Sequence, residues 1–230
     1  WQVESMKKFI LSLLAISVCL AAMLFGGCSA QADLSDYVSE FRSDIYIGTQ
    51  GEYSVFASYS RREYPYTADG NVGDMSDVFE IALTAPDNTK TYSVRYSLGG
   101  KEYSSELSFD SVRLVHRCSQ TLPAPEETTI SFTIAVADDD SAEPIAVSAT
   151  SIKTEKTLQL ADLLEKVRTA ESDRFAALTS GGSFAGELYV RLLYDNERCF
   201  YYVGLTDRNG NTYAMLTDAE TGEIIATRGE

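Results

Sequence analysis

The chain is short of positive charge. Nineteen Lys and Arg stand against 34 Asp and Glu in 230 residues, a formal net charge of −15. A nucleic-acid binder displaces phosphate counterions with a basic surface, so this balance argues against nucleic acid as a partner. Histidine is scarcer still, with His116 alone. Nucleophilic catalysis by Ser–His or Cys–His needs an imidazole to take the proton, and no Ser stands in a Gly-x-Ser-x-Gly elbow. His116, between Val115 and Arg117, is expected as a polar residue at a strand end. Cys118, Cys199 and His116, two cysteines and one His, match no zinc-ligand pattern. No metal and no cofactor are expected. What is present is apolar and aromatic: 44% hydrophobic and 11% aromatic residues, enough for a real core and too many for wholesale disorder.

The N-terminus reads as an address. Lys7 and Lys8 precede an uncharged stretch from Phe9 to Gly27, which ends in Phe25-Gly26-Gly27-Cys28. A positive start, an apolar run and small residues before a cut make a secretory signal peptide. Ending on Cys, it resembles a bacterial lipoprotein signal. That resemblance implies cleavage before Cys28, lipidation of the Cys28 thiol and attachment to the outer, extracytoplasmic face of the cell membrane. Phe25 departs from the more usual Leu three residues before the Cys. Met6 is expected as the start, with residues 1–5 an upstream extension. An uncleaved transmembrane helix is the alternative, near the lower limit of length. Either way the membrane is a partner, through the lipid or the helix. Cys19 leaves with the signal, which leaves Cys118 and Cys199, expected as separate thiols rather than a disulfide.

Residues 28–44 are expected as a lipidated tether, with Leu34, Tyr37, Val38 and Phe41 at a spacing that suits a short helix. From residue 45 the period becomes two. Tyr53/Val55/Ala57/Tyr59, Phe79/Ile81/Leu83, Tyr92/Val94/Tyr96/Leu98, Tyr103/Leu107/Phe109 and Ile130/Phe132/Ile134/Val136 alternate with polar residues. Gly99-Gly100 reads as a two-residue hairpin turn. About seven strands at such spacing predict a mainly β protein. The expected form is an antiparallel immunoglobulin-like β-sandwich over 45–150, without the Cys-Trp-Cys signature.

Residues 151–230 predict a small α+β unit: a helix with Leu160, Leu163, Leu164, Val167, Phe175 and Leu178 on one face, then a three- to four-stranded antiparallel meander. Thr157 is the expected N-cap and Gly181-Gly182 the helix end. Tyr202-Val203, Asp207, Asn209-Gly210, Tyr213, Asp218, Thr221-Gly222 and Ile224-Ile225 carry a resemblance to PepSY-type domains over residues 158–228. That resemblance implies a non-catalytic binding or regulatory part.

Candidate sites are few. Tyr59, Arg61, Arg62, Tyr64 and Tyr66 gather the residue types that anchor interfaces, before a Gly- and Asp-rich loop. The competing reading is a hairpin connection whose tyrosines cover the core edge. Asp69, Asn71, Asp77 and Glu80 fall at calcium-loop spacing, but the turn position that needs Gly holds Asp74. Asp207, Asn209 and Asn211 have similar spacing on a hairpin. The function expected from these features is non-enzymatic binding of a protein, peptide or cell-envelope component. A structural accessory subunit of an envelope complex and a carboxylate-dependent hydrolase are the alternatives.

Overall fold

The computed structural model describes residues 32–67, 71–137, 139 and 141–229; the stretch expected as a signal peptide and Cys28 lie outside them. A 3-10 turn, Leu34–Tyr37, is opened by Asp33, whose carboxylate accepts the Ser35 amide at 2.9 Å. Eight strands follow: β1 (Val38–Gln50), β2 (Tyr53–Glu63), β3 (Met75–Thr84), β4 (Tyr92–Leu98), β5 (Lys101–Asp110), β6 (Val115–Gln120), β7 (Thr129–Val136) and β8 (Ile145–Ser151). Two helices come next, α1 (Leu160–Ala170) and α2 (Ser172–Ala177). Two-residue strands β9 (Thr179–Ser180) and β10 (Ser183–Phe184) pair with each other. The chain ends in β11 (Gly186–Asp195), β12 (Arg198–Asp207), β13 (Thr212–Asp218) and β14 (Ile224–Arg228).

The expected sandwich is not what forms. The first eight strands run in the order β1-β2-β3-β6-β5-β4-β7-β8, every pair antiparallel, and β8 returns to β1 through Tyr46↔Ser151 and Ile47↔Thr150. They close into an eight-stranded barrel. Alternation of apolar and polar residues is common to sandwich and barrel; the difference lies in whether the last strand meets the first. Gly48 sits at that seam. A Cβ there would fall 2.3 Å from the Ser148 carbonyl oxygen, so only glycine lets the β8 main chain come this close.

The stretch expected as a tether is largely strand. β1 starts at Val38 and crosses the expected boundary at residue 44. A bulge at Ser43 explains the disguised pattern: Arg42 pairs with Ser60 and Asp44 with Tyr59. The extra residue switches which alternate positions face the barrel interior. Before the bulge, the edge of β1 away from β2 takes β11 in parallel, from Val38↔Leu188 to Arg42↔Arg191. Beyond the bulge that same edge takes β8. β1 thus joins the barrel to the antiparallel meander β11-β12-β13-β14 within one sheet.

The barrel is packed solid rather than hollow. Val55, Ala57, Phe79, Ile81, Leu83, Phe132 and Val147 are among its buried residues, with Tyr46, Tyr59, Tyr92 and Tyr96. A buried phenol needs a partner for its hydroxyl. Tyr46 donates to the Glu127 carbonyl at 2.8 Å, Tyr92 to the Asp87 carbonyl at 3.0 Å and Tyr96 to Gln120 Oε1 at 2.6 Å. Each ring fills the core while its hydroxyl reaches a polar group.

The meander has its own apolar face, with Leu188, Val190, Leu192, Val203 and Met215 all buried, as are Leu163, Leu164 and Val167 of α1. Tyr201 donates to the Leu158 carbonyl at 3.0 Å, and the Arg174 guanidinium lies 3.6 Å from the Tyr213 ring centroid. The single predicted helix is two, broken at Glu171. Its N-cap is Gln159, not Thr157, whose hydroxyl instead accepts the Thr154 amide at 2.9 Å. Gly181 and Gly182, at φ +60° and +83°, fall between β9 and β10 rather than at a helix end. No helix among the described residues is long and apolar enough to cross a membrane.

Candidate functional site

The other face of the sheet, away from the helices, carries a groove of about 590 Å³. It runs across β12, β11, β1, β2, β3 and β6, and five arginines line it: Arg42, Arg62, Arg113, Arg117 and Arg191. These are five of the chain's 19 basic residues, gathered on a protein with net charge −15. Strand register places them. Ser60, Arg42, Arg191 and Tyr202 form one cross-strand row. Phe56, Ala82 and Arg117 form another.

The ion pairs are unevenly shared. Arg191 is clamped by Glu40 through two bonds, Nε to Oε1 at 2.8 Å and an Nη to Oε2 at 2.6 Å. Glu80 takes Arg117 at 3.0 Å and, loosely, Arg62 at 3.8 Å. Asp110 takes Arg117 at 3.3 Å and Arg113 at 3.6 Å. It also accepts the Val112 and Arg113 amides at 3.0 and 3.1 Å, bonds that hold the turn and keep the Asp110 carboxyl below its usual range. Among the described residues no carboxylate lies within salt-bridge distance of Arg42; its Nε donates to the Leu192 carbonyl at 3.0 Å. Burial first, then neighbouring Arg191, pulls the Arg42 guanidinium below its normal pKa, against the pull of Glu40 and Glu80. Bonding to Glu40 raises Arg191 instead.

The apolar part of the groove comes from Phe56, Val115 and Leu193, with Tyr202 beside them. Tyr202 stacks on Tyr189, ring centroids 5.7 Å apart. Tyr189 lies flat because its neighbour across the strands is Gly204, where a Cβ would come within 2.2 Å of the ring. At one end the turn after β5 exposes Val112 and Leu114 on either side of Arg113, and Leu114 adopts φ +57°.

The five residues singled out in the sequence are not brought together. Tyr59 is buried in the barrel and donates to Asp77 Oδ1 at 2.8 Å. Arg61 is exposed on the face of β2 opposite Arg62, and Arg62 alone of the five enters the groove. Tyr64 is exposed, and Tyr66 donates to Glu187 Oε1 at 2.7 Å. Cys28 lies outside the described residues. Arg42, Arg113, Arg117, Arg191 and Glu40 were missed because the groove assembles from strands far apart in sequence. The only trace was Glu40 and Arg42 two residues apart, in a stretch expected as tether.

His116 is buried, and its two ring nitrogens have no hydrogen-bond partner among the described residues. It packs edge-on to Tyr92 at 4.7 Å and against Phe109 at 4.9 Å, on the barrel side of β6. Burial lowers its pKa. Cys118 and Cys199 are free thiols, both raised by burial. Asp77 and Glu80 lie within β3 rather than in a loop, and Asp69 is outside the described residues. Asp207 accepts the Asn209 and Asn211 amides at 2.8 and 2.9 Å, a turn-forming role. Among the described residues no group of three or more His, Cys, Asp or Glu is placed to hold a metal. Comparison with protein-family models, with curated proteins and with solved structures finds no match.

Proposed function

We propose that the chain is a membrane-tethered, extracytoplasmic lipoprotein that binds a protein, peptide or envelope component in the arginine-lined groove, without turnover. The groove carries the proposal: at about 590 Å³ it has the size of a ligand site, with apolar walls and a few convergent polar groups. Its two carboxylates, Glu40 and Glu80, accept hydrogen bonds from Arg191 and Arg117, which fits recognition better than acid–base chemistry. The leader ending in Cys28 and the PepSY resemblance of the meander support the address and the binding role. In that resemblance the Asp-x-x-Thr-Gly turn has a physical basis, because Asp218 Oδ1 accepts the Glu220 and Thr221 amides at 3.0 and 2.9 Å.

A photoreactive residue in place of Phe56, on the groove wall, tests the site in intact membranes. The expected result is a discrete adduct that the same group at Glu106, on an exposed stretch of β5, does not give. No adduct from position 56 would remove the groove as the recognition surface. Labelling with a radioactive fatty acid tests the anchor: label on the wild type and none on Cys28→Ser is expected.

A further inference from the structure

We infer that the groove is a phosphate-monoester site anchored by Arg42, for a ligand that carries the phosphate on an apolar or aromatic body. This rests on the groove being the recognition surface and adds the chemical class of its occupant.

Charge is the first argument. Five arginines line the groove, and the carboxylates paired with them are Glu40, Glu80 and Asp110. Two positive charges are left over. A phosphate monoester carries about that charge with opposite sign near neutral pH, close to two units. The chain as a whole is acidic, so the surplus is not a by-product of a basic composition.

Geometry is the second. Arg42 and Arg191 stand directly opposite each other on adjacent parallel strands. Like charges at such positions repel and are destabilising unless something lies between them. Glu40 neutralises Arg191 by gripping it at two points, which also fixes its orientation. Arg42, among the described residues, is left with the Leu192 carbonyl. A guanidinium fork suits phosphate oxygens and loses little freedom when it binds them. Arg62, 3.8 Å from Glu80, is loosely enough held to turn toward an incoming anion.

The walls are the third. Phe56, Val115, Leu193 and Tyr202 line the same groove, so the group bearing the phosphate meets apolar and aromatic surface rather than water. Inorganic phosphate would use the arginines and leave these walls unused.

Calorimetric titration of the full chain, in detergent at low ionic strength, tests the assignment with three probes. Phenyl phosphate is expected to bind at least tenfold more tightly than inorganic phosphate, which lacks the ring, and than benzoate, which carries one charge. Arg42→Gln is expected to weaken phenyl phosphate at least tenfold with a melting curve that is unchanged or shifted upward, and Arg42→Lys to weaken it less. Arg95→Gln, on β4 outside the groove, is expected to leave binding unchanged. Phosphatidylglycerol in mixed micelles with the same detergent, as a diester competitor, is expected not to displace phenyl phosphate. Absence of heat with phenyl phosphate, equal affinity for benzoate, displacement by phosphatidylglycerol, or indifference to Arg42→Gln each overturns the assignment. An adduct at position 56 together with no phosphate binding leaves the groove as a recognition surface and removes only the phosphate.

Discussion

Among the described residues of the barrel the buried phenols are satisfied, though His116 is not: Tyr46, Tyr59, Tyr92 and Tyr96 each put a ring into the core and give the hydroxyl a partner. Across the sheet in the groove the opposite holds. Arg42 and Arg191 are set side by side, and among the described residues three carboxylates serve four of the five arginines, Arg42 being left out. The first region is built for stability, and the second holds charge that the fold does not need. Natural proteins tend to break local consistency at functional sites, which is what makes the groove the place to look.

Substitutions should separate the two regions. The largest effect is expected in the barrel: Phe132→Ala removes a fully buried ring and should cost about 3–5 kcal/mol in chemical denaturation. Gly48→Val at the closure seam forces apart two main chains that a Cβ would bring to 2.3 Å. A loss of about 1–3 kcal/mol, or more if the seam opens, is expected from overpacking. A value near zero would mean that β8 does not close on β1.

His116 should make the barrel acid-sensitive. Burial lowers its folded pKa below the ordinary 6.5, so the unfolded chain binds the proton more readily. Its contribution is complete above about pH 6.5 and is lost as pH falls from there toward the folded pKa. The unfolding midpoint should therefore drop over that window, and the drop should vanish in His116→Phe. An identical drop in the variant would assign it to carboxylates.

The smallest effect is expected in the groove. Arg42→Gln relieves a cross-strand like-charge contact and should leave stability unchanged or raise it by up to about 1 kcal/mol, read in the same denaturation experiment. A loss comparable to that of Phe132→Ala would erase the contrast between the regions and make Arg42 a structural residue.

Much of the strand content was legible, because burial on one face imposes period two: Tyr92, Val94, Tyr96 and Leu98 alternate in the sequence and are all buried. The closure was not. It depends on contacts between residues 46–47 and 150–151, and alternation carries no information about which strands end as neighbours. β1 was missed because the bulge at Ser43 breaks its period in mid-strand, so that its first half passed for a tether. The groove was illegible for a related reason. Arg42, Arg117 and Arg191 are ordinary solvent-face residues in their own strands, and only strand order places them around one space. Tyr59 and Arg61 show the converse, since neighbours in sequence need not share a face.

The double use of β1 also bears on the order in which the molecule can be completed. β1 is the first strand of the described residues, yet one of its edges waits for β8 and for β11; Ser39 donates to the Leu188 carbonyl across 149 residues of chain. Until those partners exist, that edge exposes unpaired main-chain groups, the template on which strands from other chains add. Closing such distant pairs is slow, because the loop entropy is lost before the contacts are gained. The β1 edge over residues 38–47 is therefore completed only after β8 and β11 have been made.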